Sequence, residues 1–272
     1  MDTDQGGGIL YPTRLPSFHR LPAPEPVAHL VRWFWIPRWR LAPGRTSRQG
    51  VLTFPASNLT VEPDGVAISG PTTRISHRDL VGEGWAVGAL LRPAGVAALG
   101  VTPSELVDTE APWEAPGLLL SVTDAMAGPD EDAARDRAVT AWTNWLLATA
   151  AEPTEAALTA NRLEDVVRED RDLVRVEQLA ERLHLSVRSI QRLADRFIGV
   201  PPLAIIRRYR LQEAAQHLRE DPGATVAQIA ATLGYADHAH LTSDFRRVLG
   251  LTPRDYRGDA RRGGEPASPR GS

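Results

Sequence analysis

The chain has 272 residues, which is long enough for two domains with apolar cores, and its lack of cysteine excludes disulfide frameworks, thiolate zinc sites and cysteine nucleophiles. No stretch joins a charged n-region to an apolar h-region, and no apolar run approaches the roughly 18 residues that a membrane span needs. We therefore expect a cytoplasmic protein with no membrane partner. The net charge of −3 is unevenly distributed: residues 1–170 carry 14 Arg against 22 acidic residues, and residues 171–272 carry 17 Arg against 12. The basic C-terminal part indicates a polyanionic partner, unless so modest an excess arose by chance.

The N-terminal half has the pattern of a β-rich domain. Residues 1–26 contain "DQGGG" and five prolines without an apolar period, which predicts a poorly ordered lead-in. From Val27 to about Gly100, "VAHLVRWFWIPRW" and "SNLTVEPDGVAISGP" predict strands, the second around a Pro-Asp-Gly turn. "GWAVGALLRPAGVAAL" predicts a buried strand followed by a short helix.

Helical periodicity begins at about Glu131. One face of a predicted helix carries Ala138, Trp142, Trp145 and Leu146, and Pro153 separates this helix from another. The polar junction "EDRDL" then follows. We therefore predict a β-rich N-terminal domain over residues 27–168 that ends in helices, a second domain over residues 169–258, and a disordered tail over residues 259–272.

The second domain contains an internal repeat. "VEQLAERLHLSVRSIQRLADRFIGVPP" and "VAQIAATLGYADHAHLTSDFRRVLGLTP" each predict a short amphipathic helix, a tight turn and a second helix, followed by Gly and Pro. The segment between them, "PLAIIRRYRLQEAAQHLRED", predicts a long helix. Each copy has the plan of a helix-turn-helix motif, whose second helix enters the major groove of DNA. One such pattern is weak evidence, but two copies at fixed spacing, joined by a long helix, are specific.

These segments resemble the AraC/XylS family of bacterial transcription regulators across residues 165–258. "IAATLGYADHAHLTSDFRRVLGLTPRDYR" fits the family's C-terminal signature, and "LAERLHLSVRSIQRL" and "GVPPLAIIRRYRLQEAAQHL" support it. The chain departs from the family's pattern at His184, where a turn glycine is usual, at Ala194, where Phe is preferred, and at Ser243, where Arg is frequent. The resemblance implies two recognition helices, the second over Asp237–Leu249.

The resemblance and the outward-facing positions together give the candidate DNA-binding residues. Ser186 is the expected N-cap of the first recognition helix, and Arg188, Gln191 and Arg192 form an outward stripe. Arginine pairs with guanine and glutamine with adenine, so this stripe has the chemistry for reading bases. Two interpretations, as phosphate contacts or in helix packing, remain open for Arg207, Arg208, Arg246 and Arg247. The full candidate set is Ser186, Arg188, Ser189, Gln191, Arg192, His238, His240, Thr242, Ser243, Arg246 and Arg247.

The stretch "GYADHAHLTSDFRR" also raises the alternative of a metal site. On a helix, His238 and His240 lie roughly 200° apart and cannot share an ion. Asp237 and His240 have a usable spacing, but two ligands without a nearby Cys or Glu make a poor site. Asp237 is better explained as an N-cap, with His240 and His238 presenting ring nitrogens to DNA. Exposed side chains without a DNA contact remain the alternative.

The N-terminal region has its own resemblance and its own candidate site. Residues 27–110 resemble the uncharacterised β-rich N-terminal domain of one AraC-type subgroup, which implies sensing or dimerisation. Aromatic residues and arginines concentrate there, which is compatible either with a pocket for an acidic or planar effector or with ordinary core packing. The candidate ligand-binding residues are Trp33, Trp35, Arg38, Phe54, Arg74, Trp85 and Arg92.

Together these observations predict an α+β protein with a β-rich N-terminal domain followed by helices, then an all-α domain with two helix-turn-helix motifs joined by a long helix. The predicted function is a sequence-specific DNA-binding transcription regulator that responds to an effector through its N-terminal domain. The expected partners are double-stranded promoter or operator DNA, a small molecule, RNA polymerase and a second copy of the chain. The alternative is an N-terminal ligand-binding or enzymatic module with an accessory DNA-binding domain. No phosphate loop, His-Glu-x-x-His or Gly-x-Ser-x-Gly motif is present, so we expect no catalytic residue, metal or cofactor.

Overall fold

The N-terminal part of the fold is built from antiparallel β-sheet. The computed structural model describes residues 17–51, 54–221 and 223–261. Its strands are β1 (Ser17–Pro22), β2 (Val31–Arg40), β3 (Thr46–Val51), β4 (Asn58–Glu62), β5 (Gly65–Ser69), β6 (Ser76–Val81), β7 (Glu83–Trp85), β8 (Val87–Leu91) and β9 (Glu110–Pro112). A seven-stranded sheet runs in the order β1-β2-β8-β4-β5-β9, with β7 also paired to β2, and β3 pairs with β6 in a separate two-stranded sheet.

The large sheet has two different faces because side chains alternate along its strands. On β2, Phe34 and Ile36 are buried in the main core, whereas Trp33, Trp35 and Trp39 line a cavity on the opposite face. β4 alternates in the same way. The two-stranded β3–β6 sheet lies across the cavity, so the polar face of the large sheet does not simply face solvent.

Helices cover the apolar face of the large sheet. They are α1 (Pro93–Ala98), α2 (Pro116–Met126) and α3 (Glu131–Thr149). Trp142 of α3 is fully buried, with its ring centroid 5.9 Å from that of Phe34. The predicted helical face is confirmed, because Ala138, Trp142 and Leu146 are buried in this core and Trp145, which is partly buried, packs against it.

The C-terminal part is entirely helical and repeats one three-helix unit. The first unit consists of α4 (Glu155–Glu169), α5 (Val176–Leu183) and α6 (Val187–Phe197). The second consists of α7 (Pro202–Glu220), α8 (Val226–Thr232) and α9 (His238–Leu249), followed by α10 (Pro253–Arg261). The second unit has a core around Ile229, Leu241 and Phe245. The core of the first unit, around Leu179 and Ile190, also contains Phe54 and Leu90 of the β-rich part. The predicted α+β fold is therefore confirmed.

The boundary that we predicted at residue 169 follows a helix, α4, that packs on both sides. Leu163 and Val167 of α4 are completely buried beside Leu179 of α5. The Asn161 side-chain oxygen of the same helix accepts a hydrogen bond from the Ala94 N–H of α1 over 2.9 Å. Helix α4 therefore contacts both the N-terminal part and the first helical unit, because an apolar helix face does not reveal which neighbours it will pack against.

The predicted lead-in and tail need correction. Ser17–Pro22 form the edge strand β1, which pairs along its whole length with β2, so residues 17–26 are not a loose lead-in. Helix α10 continues to Arg261, three residues into the predicted tail. The rest of both predictions, residues 1–16 and 262–272, lies outside the described residues. Within the described residues, no helix is long and apolar enough to cross a membrane.

Candidate nucleic-acid interface

The first candidate recognition helix, α6, begins at a well-formed cap. The Ser186 hydroxyl accepts a hydrogen bond from the Ser189 backbone N–H over 3.1 Å, as the sequence predicts. His184 ends α5 in the left-handed conformation, with φ of 52°. Arg188 and Gln191 are exposed on one side of α6, while Ile190 is completely buried on the other.

The exposed side of α6 that carries Arg188 and Gln191 is therefore backed by the apolar core around Ile190. Arg192 is also exposed, one turn beyond Arg188. Ser189 is half-buried. The Ser186 and Ser189 hydroxyls lie 2.9 Å apart and hydrogen-bond to each other, in addition to the hydrogen bond at the cap. The long, flexible arginine side chains are free to adjust while the helix that carries them is fixed.

The second candidate recognition helix, α9, is capped by Asp237. Its carboxylate accepts a hydrogen bond from the His240 backbone N–H over 2.8 Å, which confirms the predicted cap. His238 is exposed, and the exposed His240 ring stands edge-on to Tyr235 with 5.3 Å between centroids. The Tyr235 contact orients the His240 ring. The described residues contain no group of three His, Cys, Asp or Glu side chains that could hold a metal ion.

The remaining candidate DNA-binding residues on α9 differ in their exposure and in whether their polar groups already have partners. Ser243 and Arg246 are exposed. The Thr242 hydroxyl donates to the His238 carbonyl oxygen over 2.7 Å, so its proton is already used within the helix. Arg247 lies 2.6 Å from the buried Asp244, although more than half of its side chain is exposed. A DNA phosphate would have to share Arg247 with that carboxylate.

Arg208 is a packing residue and takes no part in a DNA-facing surface. It is buried, and its guanidinium donates to the Thr72 carbonyl oxygen over 2.7 Å and to the Thr72 hydroxyl over 2.8 Å. No carboxylate of the described residues lies within ion-pair distance, and burial lowers the pKa of Arg208 to about 10. Its position and partners decide between the two readings that the sequence left open for this arginine.

The N-terminal domain contains a cavity of about 390 Å³ between its two sheets. Trp33, Trp35 and Phe54 line it, as do Trp39 and Glu62, which the sequence analysis did not single out as ligand-binding. The Trp35 indole N–H donates to the Asn58 side-chain oxygen over 3.0 Å. The structure thus brings together three of the seven candidate ligand-binding residues.

The other four candidates do not line the cavity. Arg38 and Trp85 pair across β2 and β7 on the helix-covered face, where Arg38 donates to the Met126 carbonyl oxygen over 2.7 Å. Arg92 forms an ion pair with Asp165 of α4. Arg74 contributes its backbone carbonyl oxygen to Arg208 over 3.2 Å. For Arg38 the sequence contained a usable signal, because an even-numbered position on β2 faces away from Trp33, Trp35 and Trp39.

Sequence reasoning missed the contacts that join the cavity to the helical units. The ring of Phe54 lies 5.4 Å from that of Tyr209 on α7, between centroids. Thr72, another cavity residue, holds Arg208 on the same helix. Three residues further on, the Ile75 N–H donates to the Val248 carbonyl oxygen of α9 over 3.0 Å. No local sequence pattern indicates these long-range pairings.

The fold and the two exposed stripes define a protein with a double helix-turn-helix domain. Residues 179–259 match the family described as a helix-turn-helix domain, and residues 19–112 match a domain of unknown function, DUF6597. The C-terminal helices are thus similar to AraC-type helix-turn-helix domains, and they follow a segment that matches DUF6597.

Individual relatives agree with this assignment. The chain is 36% identical over 125 residues to a putative AraC-like transcription regulator of Streptomyces lividans, which is 45% of this chain and 38% of that protein. It is 36% identical over 86 residues to the transcriptional activator RhaS of Escherichia coli, which is 32% of this chain and 31% of that protein. The match thus spans less than two fifths of the length of either relative.

Two solved structures are also similar. Fatty acid-bound ToxT of Vibrio cholerae is 12% identical with a TM-score of 0.46, covering 82% of this chain and 94% of that one. The DNA-binding domain of AdpA in complex with a target DNA is 30% identical with a TM-score of 0.34, covering 38% and 95%.

Proposed function

We propose that the protein is a sequence-specific DNA-binding transcription regulator whose N-terminal domain responds to a small molecule. The observation that carries the proposal is the pair of capped helices, α6 and α9, each on its own apolar core and each exposing polar and basic side chains. Helix-turn-helix proteins place such a helix in the major groove. Two such helices on one chain are compatible with binding in successive major grooves on one side of the DNA, about 10 bp apart.

The exposed residues divide into two roles. We assign base reading to Arg188, Gln191 and Arg192 on α6, and to His240, with His238 and Ser243, on α9. Arg246 is assigned to phosphate, because phosphate contacts position a protein without reading sequence. Ser186 and Asp237 act indirectly, since each fixes where its recognition helix begins.

Contacts between the domains support the effector part of the proposal. A molecule in the cavity would touch Phe54 or Thr72, and these residues contact Tyr209 and Arg208 on α7. Helix α7 joins the two helical units, so a shift in its packing changes the spacing of α6 and α9. Any such coupling is reciprocal: the factor by which a ligand changes DNA affinity is the factor by which DNA changes ligand affinity.

The partners and location that accompany this function are also proposals. The AdpA domain in complex with DNA and the fatty acid-bound ToxT are compatible with operator DNA and a small molecule as partners of this chain. RNA polymerase, a second copy of the chain and a cytoplasmic location follow from the resemblance to the regulator family. An enzymatic role for the N-terminal domain would instead require turnover of a bound compound.

The test is selection of bound sequences from random DNA by the purified full-length chain, with and without small-molecule cell extract. We expect a bipartite site, and an affinity for it that changes with the extract. A folded chain that enriches no sequence under either condition would refute the regulator. A chain that enriches one site equally under both conditions would refute only the effector response.

A further inference from the structure

Two indole rings that line the N-terminal cavity cross glycines at close range. A Cβ atom added to Gly88 of β8 would come within 2.0 Å of the Trp35 ring, and one added to Gly84 of β7 within 2.4 Å of the Trp39 ring. Both glycines therefore exist where an aromatic ring must cross the strand closely. Trp35 and Trp39 also line the cavity, so part of each ring surface is open to a ligand.

Hydrogen bonds hold both rings in this orientation. The Trp35 indole N–H donates to Asn58 over 3.0 Å, and the Trp39 indole N–H donates to the Val81 carbonyl oxygen over 3.1 Å. Since each donor is used at the ring edge, what the rings offer a ligand is the electron-rich face. Such a face attracts a planar aromatic system or a cation.

The adjoining wall already holds a planar cation against an aromatic ring. The guanidinium carbon of Arg20 lies 4.4 Å from the centroid of the Trp33 ring. The rings of Trp33 and Phe54 meet edge-on, with 5.1 Å between centroids. The cavity surface is thus suited to delocalised positive charge.

One carboxylate in the cavity is left without a donor. The backbone N–H of Thr73 donates to Asp108 over 2.6 Å, and Glu110 is paired with Arg78. No hydrogen-bond donor or ion-pair partner is found for Glu62 among the described residues, and burial raises the pKa of its carboxyl group. Along β4, Glu62 faces the same side as Asn58, which fixes the Trp35 ring.

We propose that this cavity binds a planar aromatic cation, which stacks on Trp35 and Trp39 and is neutralised by Glu62. The volume of about 390 Å³ is in the usual range for small-molecule sites and admits a two-ring compound. Of the acidic or planar ligand that the sequence predicts, the planar alternative has the stronger support. Arg38, Arg74 and Arg92 lie outside the cavity, and the arginines that line it, Arg20 and Arg78, are engaged by the Trp33 ring and by Glu110. The inference rests on the proposed function only in naming this ligand as the effector.

The test uses three probes of one size that differ in charge: 2-naphthamidine, which is a cation at neutral pH, 2-naphthamide and 2-naphthoate. Binding to the full-length chain is measured by calorimetry and by quenching of Trp fluorescence, without DNA. We expect the amidinium to bind at least about tenfold more tightly than the carboxylate. In Glu62→Gln the affinities of amidinium and amide should converge to within about threefold, with the amide affinity unchanged.

Glu83→Gln is the matched control, because Glu83 is an exposed carboxylate outside the cavity that pairs with Arg40. It should preserve the full preference for the cation. The proposal is overturned if naphthoate binds as tightly as the amidinium, if Glu62→Gln preserves the preference, or if none of the probes binds at millimolar concentration. Since no DNA is present, these outcomes leave the DNA selection result untouched.

Discussion

Replacing Tyr209 by Phe should weaken the contact between α7 and α4 by a predictable amount. The buried Tyr209 hydroxyl donates to a carboxylate oxygen of Glu164 over 2.9 Å, and Glu164 is itself buried and paired with Arg32 of β2 over 2.8 Å. Phe keeps the ring contact with Phe54 and removes only this hydrogen bond. Since a hydrogen bond to a charged group contributes about 1.5–3 kcal/mol, the free energy of unfolding should fall by about that much.

Tyr235→Phe is the matched comparison. The Tyr235 hydroxyl is buried without a hydrogen-bond partner among the described residues, so its removal should leave stability unchanged or raise it. Denaturant unfolding followed by Trp fluorescence gives the change in the free energy of unfolding for both variants, provided that this free energy falls with denaturant concentration at the same slope in each protein. The reasoning fails if Tyr209→Phe costs less than about 0.5 kcal/mol, or if Tyr235→Phe costs as much as Tyr209→Phe.

Two further predictions concern the domain boundary and the cavity. A fragment of residues 153–261 should fold to a helical, DNA-binding domain. A fragment of residues 165–261 lacks Leu163 and most of α4, so it should show less helix by circular dichroism. If the two fragments have equal helicity and equal melting temperature, α4 does not stabilise the first helical unit. Glu62→Gln should raise the melting temperature at pH 7, because a carboxyl group whose pKa is raised by folding destabilises the fold once it ionises. That gain should disappear as the pH falls below about 4.5, the ordinary pKa of the group, and a gain that persists there would show another cause.

Local chemistry in the helical units could be predicted from the sequence. The caps at Ser186 and Asp237 and the left-handed turn at His184 depend on a few neighbouring residues, and the structure has all three. The repeat itself is periodic and therefore visible in one chain. The packing partners of α4 could not be predicted from the sequence, because helical periodicity shows that a face is buried and does not show which element covers it.

The cavity of the N-terminal domain was harder to predict from the sequence, because it depends on the pairing of strands that are far apart in the chain. The alternation of Asn58, Thr60 and Glu62 with apolar neighbours shows that they share one face of β4. What the alternation cannot show is that the β3–β6 sheet lies across that face and turns a polar surface into a cavity wall. The pairing of Gly88 with Trp35 is a similar case, since it becomes visible only when β2 lies beside β8.

The most direct test of the central claim is DNA selection with single-residue variants of the full-length chain. Arg188→Ala and Gln191→Ala remove exposed side chains of α6, so they should leave stability within about 0.5 kcal/mol while relaxing preference at particular base pairs by about 1–3 kcal/mol. Arg162→Ala, an exposed arginine on α4, is the control and should select the wild-type site. If both α6 variants select the same site as the wild-type chain, α6 does not read DNA and the account is contradicted.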